Sequence, residues 1–327
     1  MTFAVLLAAY SAGAAVLVPR LLVRARWPYR APRLGVVAWF TLGATALLAA
    51  LLGCATLVVP AVGDGLALLL HASLIQLRRD YDVSNGRSGV LLGVAAGAAL
   101  LLRLGYCAVR LALETRRIRA RQHASLRLLG AGLPTPEAPG LLVLPHSTPA
   151  AYCVPGRQPR VVITSATRDL LAADQLSGVL AHERAHLRGR HALLLGCVAA
   201  WHRAFGPLPV FAWGHREIGQ LLEMRADDAA TAVCDRVRLA EALVLLAEAG
   251  QRAAYPASPA AVLSATGPDA LARVRRLAAP YRPLGTGFQA LTLVALAVFA
   301  LLPVAVSVAP AVAAAEVSSS STVLTGP

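Results

Sequence analysis

The stretch "SGVLAHERAHLRGRHALLLG", residues 177–196, decides how this chain is read. Around it Leu176, Val179, Leu180 and Leu187 recur at helical spacing, and Asp174 is the expected N-cap. Gly178 weakens such a helix by about 1 kcal/mol relative to alanine, a cost tolerable where the backbone must pack closely. Residues four apart share a helix face, so His182 and His186 present two imidazoles to one ion. Glu183 stands beside the first of them, where its carboxylate reaches a water on that ion without binding the metal itself. This is the HExxH arrangement of zinc-dependent hydrolysis.

A catalytic zinc needs a third protein ligand and an open position. The later helical stretch "HREIGQLLEMRADDAATAVC", residues 215–234, offers Glu223, with Asp227 one turn on. Glu223 is the candidate third ligand, and Asp227 the candidate acceptor for an N–H of a ligand histidine, fixing its tautomer. The competing reading is a solvated face whose carboxylates pair with Arg225 and neighbouring arginines; HERAH upstream favours the metal. Asp228 lies off the Glu223 face and reads as a surface carboxylate. His191 is one residue short of the third histidine of HExxHxxGxxH and reads as a polar helix-end residue, not a ligand. His71, His123 and His146 have no ligand spacing. His202 and His215 have none either, and are kept as candidate oxyanion stabilisers.

The surroundings of this helix are apolar. Of 327 residues 57% are hydrophobic and 15% charged, the balance of a membrane protein. About 20 apolar residues cross the hydrocarbon as a helix. Residues 1–19 are uncharged and end at Arg20, which reads as an uncleaved span because no positive charge precedes the apolar run. Leu34 to Gly63 and Pro283 to Ala315 are long uncharged runs. Ser88 to Leu102 continues its apolar pattern past Arg103 and Arg110, which can snorkel. Residues 191–213 are broken by His202, Arg203, Pro207 and Pro209, so they read as a buried or interfacial helical hairpin. The expected fold is therefore an α-helical membrane protein of about four spans with an inserted α+β zinc-protease domain. Its expected boundaries are 1–120 for three spans and basic linkers, 121–282 for the peptidase domain, and 283–327 for the fourth span and a short tail.

All basic residues are arginine, giving a net charge of +14. They gather at Arg20–Arg33 and in 103–127, so these segments are expected in the cytoplasm of a cell-membrane protein, with both termini outside and 121–282 inside. Placed there, the arginines set topology and meet lipid headgroups. They lack the aromatic interleaving of a base-stacking surface, so no nucleic acid partner is expected. The inserted segment opens with short β-type runs, "LLVLP" (141–145), "AAYCV" (150–154) and "RVVITSA" (160–166), the last two forming a hairpin or meander. Ala150, Ala151, Tyr152 and Cys153 are the candidate edge strand for an extended peptide substrate. The five scattered cysteines show no CxxC spacing and read as reduced thiols.

Three spans, an HExxH domain with a Glu223-x-x-x-Asp227 helix, and a fourth span resemble the membrane gluzincins typified by BlaR/MecR-like antirepressor peptidases. The segment "PAAYCVPGRQPRVVITSATRDLLAADQLSGVLAHERAH" carries the resemblance best. The resemblance implies one Zn2+ on His182, His186 and Glu223, Glu183 as base and acid, and a BlaI/MecI-like winged-helix repressor as protein substrate. That family's usual Asp nine residues after the first His is His191 here. Only a short tail follows Ala315, where those sensors place a penicillin-binding domain, so a relative without that sensor and with a different trigger is expected. The alternatives are a housekeeping membrane protease like the HtpX and CAAX-protease group, which shares HExxH and ExxxD between spans, and a non-catalytic membrane sensor or scaffold.

Overall fold

The computed structural model describes residues 2–70, 86–128, 140–156, 158–252, 268–280 and 282–324. Helices dominate, and four of them are long and apolar enough to cross a membrane, with candidate spans at Thr2–Arg24, Pro32–Val58, Ser88–Ile118 and Thr286–Ala309. These lie in α1 (Thr2–Arg24, with a π-helical turn at Gly13–Leu17), α3 (Pro32–Leu70), α4 (Gly86–Leu128) and α11 (Thr286–Leu324). A short helix, α2 (Trp27–Arg30), joins the first two. The exposed apolar side chains of α4 and α11, among them Leu91, Leu102, Leu291 and Leu301, suit a lipid environment.

The strands β1 (Leu141–Leu144), β2 (Ala151–Val154) and β3 (Arg160–Thr164) form one sheet in the order β1-β3-β2. β2 and β3 pair antiparallel, as the sequence suggested, whereas β1 pairs with β3 in parallel. That leaves β2 at an edge. Helix α5 (Ser165–Leu170) follows, its first turn capped by the Thr164 side chain accepting from the Thr167 N–H. Then come α6 (Ala173–Arg188), α7 (His191–Phe205), α8 (Pro209–Ala230), α9 (Arg236–Arg252) and α10 (Pro268–Ala278). The N-cap of α6 is Ala172, not the expected Asp174. The Gln175 side chain accepts from the Ala172 N–H, and Asp174 sits in the first turn, paired with Arg238 at 2.9 Å.

Residues 191–213 form neither a span nor a loop. α7 and the first half of α8 make a hairpin packed on α3, and Val198, Val210, Phe211, Ile218, Leu221 and Leu222 share one core with Ala14, Val36, Trp39, Leu42 and Ala46. Glycines let the helices approach: a Cβ on Gly43 would lie 2.9 Å from the Trp201 ring, and one on Gly214 would lie 3.3 Å from Trp39. Gly178 is explained likewise, since a Cβ there would meet Cys234 at 2.8 Å. The membrane helices and the helix carrying Glu223 thus have a common interior. Arg103 is not left to snorkel: its Nε donates to the Ala204 carbonyl in the last turn of α7 at 2.6 Å, a cation at a helix C-terminus. Arg203 in turn pairs with Glu114 of α4 at 2.7 Å.

Gly43→Leu should therefore lower stability in detergent by about 1–3 kcal/mol through overpacking. Gly105→Ala, where a Cβ meets nothing within 4 Å, should leave the unfolding midpoint near wild type. Equal melting of the two variants would contradict the packed hairpin.

Candidate metal centre

His182 and His186 project from the same face of α6, and Glu223 faces them from α8. One ligand atom from each lies within 4.8 Å of the others. The two Nε2 atoms are 3.1 Å apart, and each is 3.4 Å from a Glu223 oxygen. Two imidazole nitrogens and a carboxylate at this spacing fit a divalent zinc ion that keeps one position open.

Behind the ligands stands a buried charge network. Nδ1 of His182 is 3.0 Å from Oδ1 of Asp227, a close but oblique approach to the ring N–H. Asp227 itself is fully buried and receives two bonds from Arg273 of α10, at 2.8 and 2.6 Å. Arg273 also reaches Glu223 at 2.9 Å. Burial opposes ionisation of Asp227, but the guanidinium and the His182 ring outweigh it and hold the carboxyl well below its usual range. Burial acts the same way on Glu223, and His182 and Arg273 bring that carboxyl down to about 2. His182 is penalised by burial yet lifted to about 9 by Asp227 and Glu223, so its ring carries strong affinity for a positive partner. The sequence reading had no place for Arg273. Its signal was an arginine on the apolar side of the short amphipathic helix "PDALARVRRLA".

His191, expected at a helix end, does start α7, but it is buried, with 1% of its surface exposed. Its Nδ1 lies 2.9 Å from Nδ1 of His186, ring edge to ring face at 86°. It is outside the ligand cluster and behind one of its members. The turn that aims it is specific: Arg190 adopts φ +50°, and a Cβ on Gly189 would collide with Nε2 of His191. Burial depresses both rings of this pair to about 4, with the neighbouring His186 adding to the shift of His191, so both are neutral near pH 7.

Glu183 points into a cleft of about 270 Å³ together with the three candidate ligands. Burial raises its carboxyl above the ordinary range, the direction that suits a group taking and returning a proton. Across the cleft run Ala151, Tyr152 and Cys153 of edge strand β2, and Val179, Leu239, Leu243 and Leu246 supply an apolar wall. Ala150 is drawn away into bonds with Thr164 and Thr167. Burial, then the neighbouring Glu183 charge, pushes the Cys153 thiol up to about 12, so it stays a thiol. His202 and His215 stack on each other with centroids 5.2 Å apart, and neither lines the cleft. His215 is eight residues from Glu223, about 12 Å along α8. Asp228 pairs with Arg276 at 2.7 Å, away from the ligands.

Residues 113–220 match the model for Peptidase family M48. The match contains HERAH and stops three residues before Glu223. The chain is also similar to protease HtpX homologues: 40% identical over 73 residues to one from Thermococcus kodakarensis, covering 21% of this chain and 23% of that protein. Similarity to the Nostoc sp. homologue is 29% over 138 residues, 39% of this chain and 47% of the relative. For Acaryochloris marina it is 30% over 139 residues, 39% and 46%. The chain thus spans between about a quarter and about half of the length of these relatives. No solved structure matches it.

Because His191 stands against the ring of a candidate ligand, His191→Ala should weaken zinc binding by about 10–100-fold while leaving the helical circular dichroism intact. Zinc competition against a chelating dye measures this; unchanged affinity would show that the contact orients nothing.

Proposed function

We propose that this chain is a membrane-embedded zinc endopeptidase of the HtpX kind, acting on a cytoplasmic or membrane-proximal protein. The observation that carries the reading is the convergence of His182, His186 and Glu223 at one end of a cleft that also holds Glu183 and an edge strand. Zinc held by those three side chains supplies a Lewis acid for peptide hydrolysis. The rest falls to the chain's own groups. Glu183 takes a proton from the attacking water and returns it to the leaving amine, a double role that its raised carboxyl pKa supports. Asp227 and His191 fix the two ligand rings from behind, and Arg273 anchors Asp227 and Glu223 together. An extended peptide pairs its main chain with β2 at Ala151, Tyr152 and Cys153, and lays an apolar side chain against Leu239, Leu243 and Leu246.

The arginine-rich ends of the spans support a cytoplasmic cleft in the same proposal, with both termini outside. The sequence resemblance alone pointed to an antirepressor cutting a BlaI/MecI-like protein. The relatives named above are HtpX homologues, and their similarity favours the housekeeping reading. The shared core of α3 and α8 supports it too, since the site is built onto the membrane helices themselves.

The test is Glu183→Gln on the full chain in detergent or nanodiscs. The variant should hold one zinc per chain and cut an unfolded casein substrate at least a thousandfold more slowly than wild type. A chelator should stop the wild type, and added zinc restore it. Wild-type protein that binds no zinc, or a variant that cleaves normally, would instead indicate a non-catalytic scaffold.

A further inference from the structure

Helices α6 and α8 each have a second face. Opposite the cleft, Ala181 and Ala185 of α6 oppose Arg225 and Ala229 of α8 across a separate cavity of about 480 Å³. Small side chains leave the space open, Arg188 and Arg225 border it, and no carboxylate lines it. Among the described residues Arg225 makes no ion pair, and Arg188 bonds only to the Arg184 carbonyl at 3.4 Å. Two guanidiniums therefore border a cavity without a carboxylate, whereas Arg203, Arg238, Arg273 and Arg276 are paired with acids.

The third polar group in this cavity is His191, and proton bookkeeping says what it offers. Nε2 of His186 needs its lone pair free for the metal, so the single proton of that neutral ring sits on Nδ1. Nδ1 of His191, 2.9 Å away, must then accept. The proton of His191 is left on Nε2, which has no hydrogen-bond partner among the described residues. That N–H belongs to a buried ring that lines a cavity with two arginines. All three groups donate, and none accepts.

We propose that this cavity binds a phosphate-type oxyanion, held by the guanidiniums of Arg188 and Arg225 and by Nε2–H of His191. Arginine pairs and an N–H donor match the several acceptor oxygens of such a group, whether it comes from a soluble phosphate compound or from a lipid headgroup. The bound anion locks the tautomer of His191 and through it the ring of His186. Anion and zinc therefore strengthen one another's binding, as linkage requires. The tautomer step rests on the reading of His186 as a metal ligand.

The experiment is a calorimetric titration of inorganic phosphate into the zinc-loaded full chain in detergent at constant ionic strength, with zinc content measured in parallel. Saturable binding at one phosphate per chain is expected, weakened at least tenfold by Arg225→Gln and by Arg188→Gln, each with its zinc retained. Repeating it in phosphatidylcholine nanodiscs with and without phosphatidic acid separates the sources. If phosphatidic acid blocks the titration, the site takes a headgroup; if it does not, a soluble phosphate. Absence of saturable binding, or affinity unchanged in both variants because phosphate sits on the zinc, overturns the proposal. A wild-type chain that retains no zinc would instead sink the metal reading, whatever the phosphate result.

Discussion

The bidentate pair between Arg273 and Asp227 is the constraint on which the site depends. It is a charge pair almost without solvent, and such a pair is stable only when its remaining hydrogen-bonding capacity is satisfied. Here the remaining capacity is spent on the candidate metal centre: Asp227 sits against His182, and Arg273 reaches Glu223. The pair thereby ties α6, α8 and α10, three helices distant in sequence, into one register. Removing either partner would strand a buried charge, which costs about 3–5 kcal/mol, and would release two of the three candidate ligand side chains at once.

The same helices are tied to the membrane. α8 runs from a hydrophobic half buried against α3 to a polar half bearing Glu223 and Asp227, so one rigid element carries information about both environments. Tyr29 of the short α2 donates to the buried Glu217 at 2.8 Å, and Arg276 donates from α10 to the Tyr29 carbonyl at 2.9 Å. The link between the first two spans is therefore clamped to the helices that frame the cleft. A domain merely tethered to its anchor would show neither contact.

Much of this was legible in the sequence because helical periodicity is local. His182, Glu183 and His186 follow from spacing within one turn, and Glu223 with Asp227 from spacing within another. The long uncharged runs announced the spans, and the prolines and charges of 191–213 announced a hairpin. What stayed hidden was set by contacts between distant segments. Arg273 lies 46 residues beyond Asp227, and no spacing rule connects them. His191 fails as a ligand by its register, and only the left-handed turn at Arg190 shows it swinging behind His186 instead. The parallel pairing of β1 with β3 likewise depends on a crossover that alternation within a strand does not encode. His202 and His215 were weighed by residue type alone, and the fold sets them against each other rather than in the cleft.

The central claim is a zinc centre made of two imidazoles and a carboxylate, in a cleft where a thiol is also present but held protonated. X-ray absorption at the zinc edge on the purified full chain tests it most directly. The account predicts one zinc per chain with only nitrogen and oxygen neighbours at about 2.0–2.2 Å, an imidazole scattering pattern from two rings, and loss of the ordered site in Glu223→Gln. A sulfur neighbour at about 2.3 Å, placing Cys153 on the metal, or a site indifferent to Glu223 would contradict it.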